Sequence, residues 1–211
     1  MRFLLSNPGD VANLFLQHVS LSAAALGIAI LIAVPLGFLL YYRRWLTGPV
    51  MGVLGVLYTV PSIAMIILLI PFFGLNRTSV MVALIIYCQV ILVRNVLVGL
   101  DGIDPAILEA ARGMGMDWRQ IAWRIQFPLA LPVVLAGLRI AAIAAIAIST
   151  IGAKFGSGGL GKLLFDGINQ TRSDKIFLGA VLVAALALGV NGGLRILENR
   201  VTRRWMAGRT A

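Results

Sequence analysis

Residues 19–42 read VSLSAAALGIAILIAVPLGFLLYY, a stretch of 24 residues without a charged side chain. A helix of this length extends for roughly 36 Å, enough to cross the hydrocarbon core of a bilayer with some tilt. The stretch ends in two tyrosines, and Arg43, Arg44 and Trp45 follow it. Aromatic and basic side chains of this kind collect at membrane–water interfaces. The stretch therefore predicts a membrane-spanning helix, and with it the fold class of the whole chain.

The composition of the whole chain points to the same class. Of its 211 residues, 60% are hydrophobic and 12% are charged, whereas about 25% are charged in ordinary soluble domains. A soluble domain of this size could not bury so much apolar surface, which excludes soluble enzymes. The net charge of +10 is better explained by membrane topology than by nucleic-acid binding. We expect an all-α integral membrane protein in which residues 1–211 form one transmembrane domain.

Further apolar stretches predict four more spans. We place the five spans at about residues 19–42, 49–73, 79–100, 128–151 and 175–197. Pro61, near the middle of the second span, predicts a kinked or broken helix. Upstream of the first span, Asp10 is suited to cap a short helix that carries Val11, Leu14 and Phe15 on one face. That spacing is typical of a helix lying on the membrane surface.

The basic residues predict the orientation of the chain. With five spans and a cytoplasmic C-terminus, eleven Lys and Arg residues lie inside, six lie outside and Arg139 lies within a span. Because positive residues collect on the cytoplasmic side, we expect the N-terminus outside and the C-terminus inside. The segment 101–127 is then a cytoplasmic loop between spans three and four, and the glycine-rich segment 152–174 lies outside. The inside set is Arg43, Arg44, Arg94, Arg112, Arg119, Arg124, Arg195, Arg200, Arg203, Arg204 and Arg209, and the outside set is Arg2, Arg77, Lys154, Lys162, Arg172 and Lys175.

The cytoplasmic loop is predicted to be a helix–turn–helix. Asp104-Pro105 is a strong helix start, since Asp caps the free amide groups and Pro fits the first helical position. Gly113 and Gly115 break this helix. Asp117 starts a second helix in a pattern that resembles a capping box, and we expect the second helix to stop at Pro128, where span four opens.

The second helix of the loop has one apolar face. Its members recur at the spacing of a helical face and are Trp118, Ile121, Ala122 and Ile125. An exposed face of this kind would fit a groove on a partner protein. The other interpretation is that the face packs back onto the bundle of the same chain. The pattern alone leaves both interpretations open.

The loop also resembles a known motif. The matching residues are Glu109-Ala110-Ala111, then Gly115, then Ile125-Gln126-Phe127-Pro128, where Phe127 replaces a more usual Leu. This spacing resembles the EAA loop of permease subunits of ABC importers. The resemblance implies that the loop is a coupling helix, which docks in a cleft on a separate ATP-binding subunit. The candidate coupling residues are Glu109, Ala110, Ala111, Gly115, Trp118, Ile121, Ile125 and Pro128.

The resemblance further implies a set of partners and a location. It implies two copies of a cytoplasmic ATP-binding subunit, which would hold ATP and Mg, and an extracytoplasmic substrate-binding protein. A second permease chain, identical or a sister, is also implied, because one such chain is too small to enclose a path for an organic solute. The chain itself would be a non-catalytic, multi-pass protein of the bacterial inner membrane without a metal or cofactor, in contact with the lipid bilayer and with no nucleic acid.

Three more stretches resemble one branch of that family. Residues 58–62 and 70–74 read YTVPS and IPFFG, and residues 155–161 read FGSGGLG. All three are similar to permeases for compatible solutes such as glycine betaine, choline, carnitine and related quaternary amines. Because similar glycine-rich loops occur in amino-acid importers, an amino acid stays open as an alternative substrate.

The second span supplies candidates for the translocation path. A helix broken by Pro61 frees carbonyl groups that can line a path, and the ring of Tyr58 can face a quaternary ammonium. Thr59 and Ser62 flank the same break. The alternative is that these hydroxyl groups only satisfy the backbone of their own kink.

The glycine-rich segment has two possible roles. The segment would form either a functional element, which is a flexible outer gate or a contact for the binding protein, or a tight turn into span five. The glycines concerned are Gly156, Gly158, Gly159 and Gly161. The spacing nearly matches a P-loop, but Leu163 stands where a Ser or Thr must hold magnesium. We therefore expect no nucleotide site in this segment.

The few remaining polar residues bear on other functional classes. We expect Arg139 to be structural, paired with backbone carbonyls or a neighbouring helix, rather than part of a path. His18 is expected at the membrane interface. No Asp or Glu falls inside the five predicted spans and no internal repeat is seen, which argues against an ion-coupled secondary carrier. A membrane protein whose loop merely docks a partner is the other alternative.

Overall fold

The computed structural model describes residues 6–207, and all regular elements in this range are helical. The predicted all-α fold is confirmed. Within residues 6–207, nine α-helices follow one another: α1 (Pro8–Tyr42), α2 (Arg44–Thr59), α3 (Ser62–Phe73), α4 (Arg77–Asp101), α5 (Pro105–Gly113), α6 (Trp118–Ile121), α7 (Phe127–Gly152), α8 (Gly161–Asn169) and α9 (Ser173–Ala207). A π-turn, Ala122–Gln126, joins α6 to α7, and a short 3₁₀ turn, Ala153–Phe155, follows α7. Arg2 and Arg209, which contributed to the predicted charge distribution, lie outside the described residues.

The core lies where α1, α4 and α7 meet. One face of α1 carries small residues four positions apart, namely Ala25, Ala29, Ala33 and Gly37, and all four are buried. Small side chains let membrane helices approach closely. A methyl group added at Gly37 would lie 2.6 Å from Cβ of Val96 in α4. This face therefore sets the distance between α1 and α4.

Four helical stretches are each long and apolar enough to cross a membrane: Pro8–Tyr42, Arg77–Asp101, Trp118–Phe155 and Ser173–Thr202. The fifth crossing is made by α2 and α3 together, which are bent by 101° at Val60 and Pro61. At one end of this pair, Arg44 forms an ion pair with Asp101 at the end of α4. At the other end, Arg77 at the start of α4 donates to Ser20 of α1. The start of α2 and the end of α3 therefore lie at opposite ends of α4. For this reason we describe α2 and α3 together as one broken span.

The prediction of a separate surface helix before span one is wrong. α1 runs without a break from Pro8, and Asp10 lies inside its first turn. Val11 is buried against Leu160, which directly precedes α8, and against Leu163 of α8. The apolar face of this extension is therefore covered by the chain itself rather than by the membrane surface.

The expected stop at Pro128 is also wrong. α6 continues through the π-turn into α7, so that Pro128 occupies the first turn of a continuing helix. Proline lacks an amide hydrogen, and its ring clashes with the carbonyl four residues earlier in a regular α-helix. The wider π-turn accommodates both effects without ending the helix. The helical backbone therefore continues without a break from the second helix of the loop into α7.

The glycine-rich segment 152–174 is not a simple loop. It contains the nine-residue helix α8, which packs mainly against α9. The sequence did not predict α8, because glycines flank and interrupt its apolar pattern. Assignment of the α5–α6 end of the bundle to the cytoplasm stays a prediction.

Candidate coupling loop and translocation path

The first helix of the loop begins as its sequence predicts. The Asp104 carboxylate accepts a hydrogen bond from the amide of Ala106 at 2.9 Å. Leu108 and Ala111 are buried, whereas Glu109 and Ala110 face outward. The Glu-Ala-Ala triplet therefore places one alanine against the bundle and offers the other two side chains to a partner.

Gly115 ends this helix in a Schellman motif. The amide of Gly115 donates to the carbonyl of Arg112 at 2.9 Å. The amide of Met116 donates to the carbonyl of Ala111 at 3.2 Å. Gly115 has φ +79°, a left-handed conformation that glycine adopts without steric cost. Met116 packs against the cluster that contains Ala111, as is usual for this motif. The fixed spacing between the alanine pair and the glycine thus has a structural cause.

The second helix begins with a complete capping box. The Asp117 side chain accepts from the amide of Gln120 at 2.7 Å, and the Gln120 side chain accepts from the amide of Asp117 at 3.0 Å. The end of the first helix and the start of the second are therefore both held by local hydrogen bonds, so the corner at Gly115 between them is rigid.

The structure divides the predicted apolar face of the second helix. Ile121 and Ala122 are buried against the bundle of the same chain, whereas the Trp118 side chain is 65% exposed. Two other apolar side chains of the loop are also exposed, Met114 at 74% and Trp123 at 68%. The sequence did not predict these two, because neither belongs to the apolar face described above for the second helix. The exposed corner of the loop comprises Glu109, Ala110, Met114, Gly115 and Trp118, while Ile125 and Pro128 are partly buried.

Polar contacts tie the base of the loop to the corner between α1 and α2. Tyr42 donates to the side-chain oxygen of Gln126, which is buried in the π-turn. Arg44 donates to Asp101 at 3.2 Å between Nη1 and Oδ2, and its guanidinium lies 4.7 Å from the Tyr41 ring centroid. The base of the loop is therefore bonded to the corner between α1 and α2 on both sides.

The broken span places the path candidates beside a second tyrosine. Tyr87 of α4 donates to the carbonyl of Val60, the extended residue before Pro61 at the break. The Tyr58 and Tyr87 rings are 5.8 Å apart in an edge-to-face arrangement. The sequence offered no local signal for Tyr87, since it lies on a different helix. This pair gives the break an aromatic wall.

The remaining path candidates differ in their surroundings. The Thr59 hydroxyl donates to the carbonyl of Val56 at 2.7 Å, so it pairs with a backbone group at the end of its own helix. Pro61 is exposed and Ser62 is partly buried, while the Tyr58 side chain is 46% exposed. Of the four candidates, Tyr58 is therefore best placed to meet a solute.

The outward face of the broken span has no cover within the described chain. α2 contains no buried residue. Large apolar side chains on α2 and α3 are exposed, namely Val53, Val56, Ile63, Ile67, Leu68 and Phe72. The break thus lies on an apolar surface that lipid or another chain must cover.

The glycine cluster is a packed turn in this structure. Gly156, Gly158 and Gly159 have φ between +70° and +86°. The amide of Gly159 donates to the Gln17 side chain at 3.1 Å, and Gly159 and Gly161 are buried. A methyl group on Gly159 would lie 3.0 Å from Nδ1 of His18. Of the four candidate glycines, Gly156 alone is exposed, so Gly159 and Gly161 cannot touch a binding protein directly.

His18 lies inside the bundle rather than on its surface. It is 1% exposed, and its Nε2 lies 2.9 Å from Oγ of Ser149 in α7. Ser22 lies 3.2 Å from the same hydroxyl. α1 and α7 are therefore joined by a small buried polar cluster, which the sequence could not reveal because its members are far apart in the chain.

Arg139 pairs with a neighbouring helix. Its Nε lies 3.5 Å from a carboxylate oxygen of Glu198 in α9, and both side chains are largely buried. Glu198 directly follows the fifth predicted span, 175–197, so this pairing does not contradict the expectation that no Asp or Glu falls inside the predicted spans. A basic residue in a span is tolerated when it is paired. The contact supports a structural role for Arg139.

The chain is similar to known membrane transport proteins. The family described as binding-protein-dependent transport system inner membrane component matches residues 25–203. The chain is 39% identical over 204 residues to the osmoprotectant import permease protein OsmW of Salmonella typhimurium, and the match covers 94% of each chain. It is 42% identical over 188 residues to the carnitine transport permease protein OpuCB of Listeria monocytogenes, covering 88% of this chain and 85% of that one. A glycine betaine/carnitine/choline transport system permease of Bacillus subtilis is 34% identical, with 99% and 96% covered.

Solved structures support the same fold. An inward-facing MetNI methionine ABC transporter matches with a TM-score of 0.83 at 21% identity, covering 90% of this chain and 95% of that chain. An amino acid ABC transporter solved with histidines matches with a TM-score of 0.72 at 18% identity, covering 93% and 96%. At these identities the likeness concerns the fold alone.

Proposed function

The chain belongs to the family of binding-protein-dependent transport system inner membrane components, and from this membership we propose that it carries a quaternary-amine compatible solute. It is a multi-pass membrane permease of the ABC importer type. Glycine betaine, choline and carnitine are the proposed substrates. Support for this class comes from the names of the relatives at 34–42% identity, which are osmoprotectant, carnitine and glycine betaine permeases.

The exposed corner at Gly115 is the observation that carries the energy-coupling part of the proposal. Glu109, Ala110 and Trp118 project from a turn that is held by a Schellman motif and a capping box. A rigid corner with one acid and one large aromatic side chain is suited to seat in a cleft on another protein. The proposed partner is a cytoplasmic ATP-binding subunit, present in two copies. It would hold ATP and Mg and hydrolyse the nucleotide, while this chain performs no covalent chemistry.

The path is proposed to lie along the broken span. A second permease chain, identical or a sister, would cover the apolar surface of α2 and α3, so that the break at Pro61 faces the interface between the two chains. Tyr58 would then meet the solute with its ring, since quaternary ammonium groups bind favourably over aromatic faces. An extracytoplasmic binding protein would deliver the solute at the end of the bundle where Gly156 is exposed.

The loop contacts suggest how ATP would drive transport. Closure of the ATP-binding subunits would displace the corner at Gly115. The continuous helix through the π-turn would pass this displacement to α7, and the contact between Arg44 and Asp101 would pass it to the start of α2. The broken span would then expose its path to alternate sides of the membrane.

Uptake by reconstituted vesicles tests the proposal. The vesicles contain the chain together with its ATP-binding subunit and binding protein, and the measured quantity is accumulation of labelled glycine betaine, choline or carnitine. We expect accumulation that requires ATP, and an excess of unlabelled amino acids should not compete. Uptake that an ion gradient drives without ATP would instead identify a secondary carrier and overturn the proposal.

A single substitution tests the path. Tyr58→Ala should lower the uptake rate without lowering the amount of chain in the membrane. Phe177→Ala is the matched control, because Phe177 is an exposed aromatic residue on α9, far from the break along the chain. If the uptake rate of Tyr58→Ala equals that of the control, Tyr58 does not line the path.

A further inference from the structure

A groove of about 340 Å³ runs between the last turns of α1 and the π-turn. Its floor and walls are apolar and include Val34, Phe38 and Leu39 of α1 with Ala122 and Trp123 of the π-turn. The α1 residues lie within the charge-free stretch that spans the membrane. The groove therefore opens to the hydrocarbon region along part of its length.

Basic and aromatic side chains surround the mouth of this groove. Arg43, Tyr42 and Trp118 line it, and the guanidinium of Arg119 lies 5.1 Å from the Trp118 ring centroid. The ion pairs found among the described residues involve Arg44, Arg139 and Arg172 and leave Arg43 and Arg119 without a carboxylate within 4.0 Å. No acidic side chain lines the groove. An apolar channel thus ends at two uncompensated positive charges.

We propose that this groove binds one anionic phospholipid, with an acyl chain between α1 and the π-turn and the phosphate at Arg43 and Arg119. Indole rings favour the headgroup level of a bilayer, which suits Trp123. Basic residues at that level attract anionic headgroups. A zwitterionic choline headgroup would bring a second cation to the same two arginines, so it binds less well.

The depth of the groove argues against a soluble protein as its occupant. A soluble ATP-binding subunit cannot reach Val34 and Phe38, because these residues lie one to two turns inside the membrane-spanning part of α1. An acyl chain already surrounds the bundle at that depth and needs no separate source. The lipid would occupy the joint between α1 and the coupling loop, whatever solute the protein carries.

Quenching of tryptophan fluorescence by brominated lipids tests this site. Trp45→Phe and Trp205→Phe leave Trp118 and Trp123 as the only two tryptophans of the full-length chain. The protein is reconstituted into phosphatidylcholine vesicles that contain increasing fractions of dibrominated phosphatidylglycerol or, in a parallel series, dibrominated phosphatidylcholine. We expect half-maximal quenching at a lower fraction of the anionic lipid, with a preference of about fivefold for each arginine, falling as ionic strength rises.

Charge variants separate a bound lipid from bulk bilayer contact. Arg43→Gln and Arg119→Gln should each lower the preference for the anionic lipid, and Arg43→Lys should retain most of it. Arg195→Gln removes an exposed arginine from α9 and should leave the preference unchanged. Equal quenching by the two lipids in the unsubstituted background would overturn the proposal, as would equal loss in all three glutamine variants. Since no transport is measured, this outcome is independent of whether the proposed substrate is correct.

Discussion

Replacing Gly115 by alanine tests whether the corner of the loop is held in the conformation that the partner recognises. Gly115 has φ +79°, and a methyl group added there would have nothing within 4 Å. The substitution therefore causes no clash, and its whole cost is that of a left-handed conformation, about 1–2 kcal/mol for a residue with a side chain. A free loop can avoid part of this cost by giving up the hydrogen bonds of the Schellman motif, whereas a docked loop that must keep this conformation cannot.

Gly113→Ala provides a control of identical chemistry two residues away. A methyl group at Gly113 also has nothing within 4 Å, but this residue lies in the last turn of α5 with ordinary helical dihedrals. Alanine there favours the helix over glycine by up to about 1 kcal/mol. The same change should thus weaken docking at one position and leave it unchanged or improved at the other.

Binding of the purified ATP-binding subunit to vesicles that contain each variant measures the difference. A cost of about 1–2 kcal/mol raises the Kd of Gly115→Ala by roughly fivefold to thirtyfold, and coupled uptake falls in proportion at subsaturating subunit. Gly115→Asn should show a smaller effect, because asparagine tolerates the left-handed region better than alanine. If Gly115→Ala and Gly113→Ala bind as tightly as the parent chain, the corner does not keep this conformation when docked, and the reasoning fails.

Three further predictions concern the bundle. Tyr87→Phe removes the donor to the carbonyl at the proline break and should lower the free energy of unfolding by about 1–3 kcal/mol, measured as a lower melting temperature in detergent. Arg139→Gln and Glu198→Gln should be non-additive in the same assay, with a coupling of about 0.5–3 kcal/mol, and strictly additive effects would show that the pair contributes nothing. Gly161→Ala places a methyl group inside the contact distance of a backbone carbonyl of α7, so this variant should fail to accumulate as folded protein in the membrane; normal yield and melting temperature would contradict the tight packing at the glycine cluster.

Local patterns were enough to locate the spans and the ends of several helices. The third and fourth predicted spans, 79–100 and 128–151, correspond to helices Arg77–Asp101 and Phe127–Gly152, because a charge-free stretch of this length has few alternatives to a membrane helix. The caps at Asp104 and Asp117 form as their sequences indicate. Each cap depends on hydrogen bonds to residues two or three positions away, so no tertiary contact is needed to predict it.

The candidate coupling residues come from the resemblance of the loop to a known motif, and the sequence did not indicate which of them are exposed. The spacing from the alanine pair to Gly115 is a property of one helix end. Whether Trp118 or Ile121 faces outward depends instead on which apolar side chains the neighbouring helices cover. Both satisfy the same helical pattern, and the structure buries Ile121 while exposing Trp118.

By itself the sequence determined an all-helical membrane bundle with a capped loop between its third and fourth spans, because bilayer thickness and backbone hydrogen bonding act on short stretches of chain. Tertiary structure alone decided what joins those stretches. It paired Tyr87 with the carbonyl at the proline break, seated His18 against Ser149, and brought Arg139 to Glu198. These partners are 27 or more residues apart, and their proximity arises only when the helices pack, which no local pattern encodes.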